Sequence, residues 1–240
     1  GAGIEIIEPI QTRDHTERIL SNFGANIETT FLDGKNIIKL APNNILRAKN
    51  YTVVGDISSA AFLLVAALIS NSPGLEIMNV GMNPSRTGVL QALKKMGANI
   101  EIKNQRLESG EPCANLVVKQ SKLKGVKLSG KIIPNIIDEI PIISIAAAFA
   151  EGETLIRDAT ELRVKESDRL KAVSMGFSVL GIMHENYNDG MSIQGTPNQL
   201  SIDQSISIDS FNDHRIAMSF LIAGLKCSKP ITVKNCENIF

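Results

Sequence analysis

Residues 56–69 read DISSAAFLLVAALI, in which an aspartate and two serines lead into an almost unbroken run of apolar residues. The run is shorter than the roughly 20 residues that a membrane-spanning helix needs, so it predicts a helix buried inside a protein. Two further apolar stretches, which begin after Asp138 and Asp213, share this pattern. Helices that are apolar on nearly every face must be covered on all sides. Three of them packed at the centre of a domain, with sheets outside, satisfy this requirement.

A second pattern recurs in step with the three aspartates. It is a helix closed by a glycine and followed by a strand, and the closing glycines are Gly24, Gly97 and Gly181. Glycine supplies the left-handed conformation in which many helices end. The glycines are 73 and 84 residues apart, and the aspartates are 82 and 75 apart. The sequence therefore predicts an α/β (α+β) fold of repeated units of strands and helices, closed into a pseudo-threefold domain rather than an open solenoid.

Short turns are expected inside these units. Asp33-Gly34 and Asp189-Gly190 are typical of the two-residue turns of β-hairpins. In the middle copy the corresponding turn is predicted to be longer, around residues 108–112.

Composition excludes several classes of function. The formal net charge is +0, which argues against nucleic acid as an electrostatic partner. The three cysteines, Cys113, Cys227 and Cys236, show no C-x-x-C spacing, so we expect reduced thiols in a cytoplasmic protein without a metal site. The chain begins as though a helix had just ended, and it stops directly after a strand, so we expect a piece of a longer protein.

The stretch ELRVKESDR, residues 161–169, carries the densest charge. If Ser167 caps the helix that follows, Arg169 lies in the first turn, where the helix dipole disfavours a cation by about 0.3–1 kcal/mol. A cation at such a position indicates an anionic ligand, a phosphate or carboxylate held by the helix N-terminus and the guanidinium together. Lys165 would be a second contact, and Glu166 an acid or base beside it.

A simpler interpretation exists for each of these groups. The cations of residues 161–169 can pair locally with Glu161, Glu166 and Asp168 on the surface of a helix start. The aspartates that precede the apolar helices can be ordinary N-caps. Spacing alone favours these interpretations over a ligand site.

Longer segments of the chain resemble one enzyme family closely. In order, they are TRDHTERIL (12–20), GDISSAAFLLVAALI (55–69), PSRTGVLQALKKMGA (84–98), IPNIIDEIPIISIAAAFAEGET (133–154), ELRVKESDRL (161–170) and FNDHRIAM (211–218). Together they resemble the 3-phosphoshikimate 1-carboxyvinyltransferases, also called EPSP synthases. The resemblance covers nearly all of the chain but only part of the family's pattern. This sequence has no counterpart of the segments that form the first half of the family's pattern. It also has no counterpart of the family's closing strand, which carries a lysine that contacts phosphoenolpyruvate.

The resemblance implies a fold and a division into domains. The fold is the inside-out α/β barrel of the enolpyruvyl transferases, in which two domains of three βαβαββ units close on the substrates. Residues 1–55 would be the last unit of the N-terminal domain, and residues 56–240 most of the C-terminal domain, with a hinge near residues 54–56. The chain alone is expected to be inactive, because it would lack half of the active site.

The resemblance also implies roles for seven residues. Asp138 would contact the ring hydroxyls of shikimate and transfer protons, and Glu166 would be the second acid or base. The substrate-binding set consists of Lys165 and Arg13 for the phosphate of shikimate 3-phosphate, Arg169 and Arg215 for phosphoenolpyruvate, and His214 next to that site. Glu161 stands where some members have an asparagine, so it is left out.

The implied reaction joins the 5-hydroxyl of shikimate 3-phosphate to C2 of phosphoenolpyruvate and then releases phosphate, a step towards chorismate and the aromatic amino acids. Adding and removing protons at two centres requires two carboxyl groups in different environments. Holding two phosphates and a carboxylate requires lysine and arginine. The family needs no metal or other cofactor, no nucleic acid and no membrane, and its full-length members are expected to be cytoplasmic monomers.

Two alternatives remain at this point. The related UDP-N-acetylglucosamine 1-carboxyvinyltransferases share the fold and bind phosphoenolpyruvate, although VKESDR and NDHR suit the shikimate enzyme better. A binding or structural module of the same fold without catalysis is the other alternative.

Overall fold

Three apolar helices, α2 (Ile57–Ile69), α5 (Ile140–Ala148) and α7 (His214–Ala223), pack against one another in the computed structural model, which describes residues 2–9 and 12–239 apart from the side chain of Asn238. Every residue of α5 is buried, and so is most of α2. This is the arrangement predicted from their apolar faces.

The remaining elements surround these helices. The strands are β1 (Ile4–Glu8), β2 (Ile27–Leu32), β3 (Lys35–Leu40), β4 (Leu75–Gly81), β5 (Asn99–Glu108), β6 (Glu111–Lys119), β7 (Lys127–Leu128), β8 (Gly152–Ile156), β9 (His184–Tyr187), β10 (Gly190–Gly195), β11 (Ile206–Asp209) and β12 (Ile231–Lys234). The other helices are α1 (His15–Asn22), α3 (Gly88–Lys95), α4 (Ile133–Ile136) and α6 (Arg169–Leu180), and short 3₁₀ turns cover Gly130–Ile132, Thr160–Val164, Gly224–Lys226 and Glu237–Ile239.

The sheets repeat one topology around the central helices. The strand orders are β4-β6-β5, β7-β8-β10-β9 and β11-β12, and a fourth sheet, β1-β3-β2, belongs to the first 55 residues. In each of the three units the chain that enters a buried helix runs parallel to the strand that leaves it: Gly55 beside Val80, β7 beside β8, and β11 beside β12. A parallel pair needs a crossover, and the buried helix supplies it. The predicted fold class of repeated α/β units is confirmed.

Left-handed glycines end the outer helices as the sequence predicts. Gly24, Gly97 and Gly181 follow α1, α3 and α6 with φ of +96°, +93° and +70°. Asp33 and Gly34 form the turn between β2 and β3, each with positive φ.

Two turn predictions were wrong. The middle hairpin turns at Ser109 and Gly110, both with positive φ, so its turn has two residues and is no longer than the others. In the last hairpin Tyr187 pairs with Gly190, which places the turn at the two residues between them rather than at Asp189-Gly190. Gly190 has a different role, because a Cβ there would collide with the backbone carbonyl of Ile156 on β8.

Polar side chains take part in the contact between the first 55 residues and the rest of the chain, beside the backbone pairing of Gly55. Asp14 Oδ1 accepts from Asn83 at 2.6 Å, and His15 Nδ1 lies 2.8 Å from Glu111 Oε1. No residue of α1 is buried, and about half of the surface of Ile4 is exposed. The boundary between domains near residues 54–56 stays a prediction.

Three absences concern the described part of the chain only. No helix there combines the length and apolar character that crossing a membrane requires. No group of three or more metal-ligating side chains was found there, and the three cysteines are free.

We expect Gly176→Ala to destabilise the fold. Alanine is the better helix former, but a Cβ at position 176 of α6 would collide with the buried ring of Phe220 on α7. Overpacking of this kind costs about 1–3 kcal/mol, which urea unfolding would measure. Lys171→Ala on the exposed side of α6 is the matched control. Adding Phe220→Leu to Gly176→Ala should restore part of the lost stability, and a Gly176→Ala chain as stable as the parent would contradict this packing.

Candidate active site

Four cationic side chains converge on Asp138, just before α5. Its Oδ2 lies 2.6 Å from Arg13 Nη2 and 4.0 Å from Arg215 Nη2, and its Oδ1 lies 3.3 Å from Arg169 Nη1 and 3.8 Å from Lys165 Nζ. The structure thus brings together five of the seven residues to which the resemblance gave roles. They come from the start of the chain, from α6 and α7, and from the segments just before α5 and α6, and only the tertiary fold makes them neighbours.

These cations set the charge state of Asp138. Burial disfavours the charged carboxylate, but the hydrogen bond from Arg13 and the charges of Arg215, Arg13 and Lys165 outweigh it, so the pKa of Asp138 is lowered. A carboxyl group with a lowered pKa is ionised near neutral pH and can accept a proton. The interpretation of Asp138 as a helix cap was wrong, because α5 begins at Ile140 and Glu139 is the residue before it.

Arg169 is a buried ion-pair centre. Its side chain is 1% exposed, its Nε lies 2.8 Å from Asp213 Oδ2, and its Nη2 lies 2.6 Å from Glu166 Oε2. Protein carboxylates therefore offset the unfavourable dipole at the start of α6. The local ion pair that the sequence suggested is present, between Arg169 and Glu166. Arg169 also pairs with Asp213 and Asp138, which are distant in sequence.

The predicted cap of α6 was wrong. The helix begins at Arg169, so the cap position is Asp168, whose side chain accepts from the backbone N of Lys171 at 3.0 Å. Ser167 lies one residue too early, and its hydroxyl donates to Asp213 Oδ2 at 3.0 Å instead.

A cavity of about 340 Å³ opens beside this cluster. Its volume is within the range of small-molecule sites. The lining residues are Thr12, Arg13, Ser85, Pro134, Asn135, Ile137, Asp138, Glu161 and Lys165. There Lys165 is paired with Glu161, the residue to which the resemblance gave no role. The cavity therefore presents two cations next to the Asp138 carboxylate.

The other predicted residues border the cluster without lining this cavity. The Glu166 side chain is 51% exposed, and its carboxylate holds Arg169. Arg215 Nη1 donates to the backbone carbonyl of Asp138 at 3.1 Å. His214 is the first residue of α7 and is half-buried. No contact between His214 and the cluster was found among the described residues.

Asp213 is a site residue whose importance sequence reasoning missed. It was interpreted as a helix cap, and it does accept from the backbone N of Arg215 at 2.9 Å. It is also completely buried and paired with Arg169. Burial opposes its charge, but Arg169, the backbone N–H of Arg215 and Ser167 outweigh burial and lower the pKa of Asp213. An aspartate before each apolar helix is the same sequence pattern whether that aspartate only caps its helix or also pairs with a distant cation.

A second cavity, of about 280 Å³, lies between α1 and the segment that leads into α2. Its lining is mainly apolar, and none of the seven predicted residues takes part in it. The chemistry of the cluster around Asp138 has no counterpart there.

We expect Asp213→Asn to destabilise the chain by about 3 kcal/mol at pH 7, because it leaves Arg169 buried without its main partner. A carboxyl group whose pKa is lowered in the folded state stabilises that state at pH values above the ordinary aspartate pKa of about 3.9. This stabilisation is lost as the pH falls through the pKa of the folded state. The difference between parent and variant should therefore be constant from pH 7 to about pH 5 and shrink at lower pH. Urea unfolding across this range measures it.

The matched control is Glu5→Gln, which removes an exposed ion pair with Lys39 and should change stability little at any pH. A deficit of Asp213→Asn that stays the same down to pH 3 would show that the charge of Asp213 is not responsible.

Comparison with known proteins identifies relatives of this chain. The profile of the family described as EPSP synthase (3-phosphoshikimate 1-carboxyvinyltransferase) matches residues 3–239. Relatives with the name 3-phosphoshikimate 1-carboxyvinyltransferase include one from Magnetococcus marinus, 47% identical over 98% of this chain and 51% of its own length. Another, from Syntrophotalea carbinolica, is 48% identical over 96% of this chain and 52% of its own.

Solved structures show the same relationship. An EPSP synthase from Acinetobacter baumannii aligns with a TM-score of 0.91 at 41% identity, over 99% of this chain and 54% of that protein. The enolpyruvyl transferase NikO from Streptomyces tendae shares the fold, with a TM-score of 0.75 at 18% identity over 99% of this chain and 52% of that one. This chain spans about half the length of the curated relatives it matches. On the match over residues 3–239, the chain belongs to the EPSP synthase family.

Proposed function

We propose that the chain takes part in the transfer of the enolpyruvyl group from phosphoenolpyruvate to the 5-hydroxyl of shikimate 3-phosphate, with release of phosphate. The observation that carries the proposal is the convergence of Arg13, Lys165, Arg169 and Arg215 on one ionised carboxylate beside a cavity. Membership of the family supplies the substrates. Because the chain spans about half of its relatives' length, this activity is proposed for the protein that contains it.

The cations suit two anionic substrates. Arg13 and Lys165 line the cavity and can take the phosphate of shikimate 3-phosphate. Arg169 and Arg215 are more buried and can take phosphoenolpyruvate, and His214, which precedes Arg215 at the start of α7, stays a candidate neighbour of that site. Every one of these cations already contacts a carboxylate, so a substrate anion would replace protein carboxylates rather than fill an unbalanced positive site.

Two carboxyl groups in unlike settings suit the proton transfers. In the addition step the 5-hydroxyl oxygen bonds to C2 of phosphoenolpyruvate, the hydroxyl proton goes to a base, and C3 gains a proton from an acid. In the elimination step C3 loses a proton, the bond from C2 to the phosphate oxygen breaks, and phosphate leaves. Asp138 and Glu166 are the candidates for these transfers: Asp138 is held as a carboxylate by the cations around it, and Glu166 is half-exposed. The chemistry needs no metal or other cofactor.

The surrounding predictions stay part of the proposal. Residues 1–55 would complete an N-terminal domain and residues 56–240 would form most of a C-terminal one. The whole protein would be a cytoplasmic monomer without nucleic-acid or membrane partners.

We expect the 240-residue chain to form no product by itself. Fused to the part of the Magnetococcus marinus relative that lies outside the match, it should release phosphate from phosphoenolpyruvate only when shikimate 3-phosphate is present. A phosphate-release assay measures both. A fusion that is folded but inactive would contradict the proposal, and so would one that uses UDP-N-acetylglucosamine instead of shikimate 3-phosphate.

In the active fusion, Asp138→Ala and Arg169→Ala should each lower kcat/KM by at least about 10²-fold, the scale of a lost catalytic or electrostatic group. Glu151→Gln, at an exposed position away from the cluster, is the matched control and should leave kcat/KM unchanged. Near-normal kinetics for either test variant would show that the residue only forms a structural ion pair.

A further inference from the structure

Glu139 is a buried carboxylate that neither the resemblance nor the proposed reaction uses. It follows Asp138 directly, yet the two side chains lie in different surroundings. Asp138 contacts Arg13 and Lys165 at the cavity. The side chain of Glu139 is only 4% exposed, and its carboxylate contacts Ser58 on α2 and Arg215 on α7.

Helix capping does not explain this position. Glu139 is the residue before α5, where Ser, Thr, Asp or Asn is preferred, and its side chain makes no capping hydrogen bond. Burying a carboxylate is unfavourable unless other groups compensate its charge. Burial raises the pKa of Glu139, while Ser58 and the charge of Arg215 act in the opposite direction. Glu139 thus places a carboxylate at a buried position where an apolar side chain would cost less free energy.

The hydrogen bonds around Ser58 direct its proton towards Glu139. Arg86 Nη2 donates to Ser58 Oγ at 2.7 Å and to Asp56 Oδ1 at 2.7 Å. A guanidinium can only donate, so Ser58 Oγ is the acceptor in that contact and its own hydrogen is available for Glu139 Oε1. Asp56, Arg86 and Ser58 together therefore hold the Glu139 carboxylate in one orientation.

That orientation faces Arg215. Glu139 Oε1 lies 3.6 Å from Arg215 Nη1, while the nearest carboxylate oxygen of Asp138 lies 4.0 Å from Arg215 Nη2. Glu139 is thus the nearer of the two carboxylates. It is also the one with no role in proton transfer, so its charge need not change when Asp138 takes up a proton.

We propose that Glu139 is a positioning residue for Arg215. Oriented by Ser58, it keeps the guanidinium in place at the start of α7 while Asp138 changes its charge during the reaction. The functional meaning of the contact rests on the proposed function, in which Arg215 binds phosphoenolpyruvate. The contact itself does not depend on that function, and it can be tested without turnover.

The test uses the whole 240-residue chain labelled with ¹⁵N-arginine, and NMR detection of the guanidinium nitrogens. Signals that vanish in Arg215→Lys belong to Arg215. In the parent chain we expect separate Nη1 and Nη2 signals for Arg215, because a held guanidinium rotates slowly about its Cζ–Nε bond. Glu139→Gln keeps an acceptor for Ser58 but removes the charge, and we expect faster averaging of the two signals, because the hydrogen bond from Nη1 to the Asp138 backbone carbonyl then holds the guanidinium without that charge. Glu151→Gln is the control and should leave them separate.

Averaged signals in the parent, or signals in Glu139→Gln that average no faster than in the parent, would overturn the proposal. If Glu139→Gln fails to fold, Ser58→Ala decides the question, because it leaves the charge but frees the carboxylate. Faster averaging in that variant supports the proposal, and unchanged signals overturn it.

Adding phosphoenolpyruvate and shikimate 3-phosphate to the active fusion, with the same label, separates the two proposals. A shift of the Arg215 signals supports the role of Arg215 in the proposed function. If they do not shift, that role fails, whereas the spectra without ligand still decide the role of Glu139.

Discussion

The mutual burial of α2, α5 and α7 is the constraint on which the rest of the structure depends. Because each of these helices is covered on nearly all sides, the sheets must lie outside them, and each helix must connect two parallel strands. Charged groups are costly within the three-helix core unless they are paired, and the charged side chains gather where the helices begin. Asp56, Asp138, Glu139 and Asp213 all lie at or just before such a helix start. The functional cluster is thus a consequence of how the core is built.

Charge balance is the second principle of this site. Arg169 is almost completely buried, which would be costly for a lone cation, and its partners Asp213, Glu166 and Asp138 compensate it. Arg215 and Lys165 are likewise paired with carboxylates. In such a site a substrate anion competes with protein carboxylates for the same cations. Under the proposed function, the protein carboxylates hold the cations in place and the substrate would take over part of their contacts.

Much of the fold could be predicted from the sequence. The apolar stretch of residues 56–69 predicted a central helix, and Gly24, Gly97 and Gly181 predicted three helix ends, because both signals depend on local physics. The two-residue turn at Ser109 and Gly110 was missed, because a serine in the sequence does not indicate a positive φ, although this serine adopts one. The site was harder. Asp213 and Arg169 are 44 residues apart, so their pairing depends on the packing of α6 against α7, which no local pattern reveals. Motif resemblance found the charged residues, but it could not tell which of them are buried partners of the others.

The central claim is that the cations around Asp138 form an anion site whose charges the protein itself balances. A crystal structure of the active fusion soaked with phosphoenolpyruvate tests it most directly. The account predicts the phosphate or carboxylate of the ligand on Arg215 or Arg169 next to Asp138, with at least one contact between these arginines and protein carboxylates lengthened relative to the ligand-free structure. Ligand bound elsewhere, or bound at the cluster with every ion pair unchanged, would contradict it.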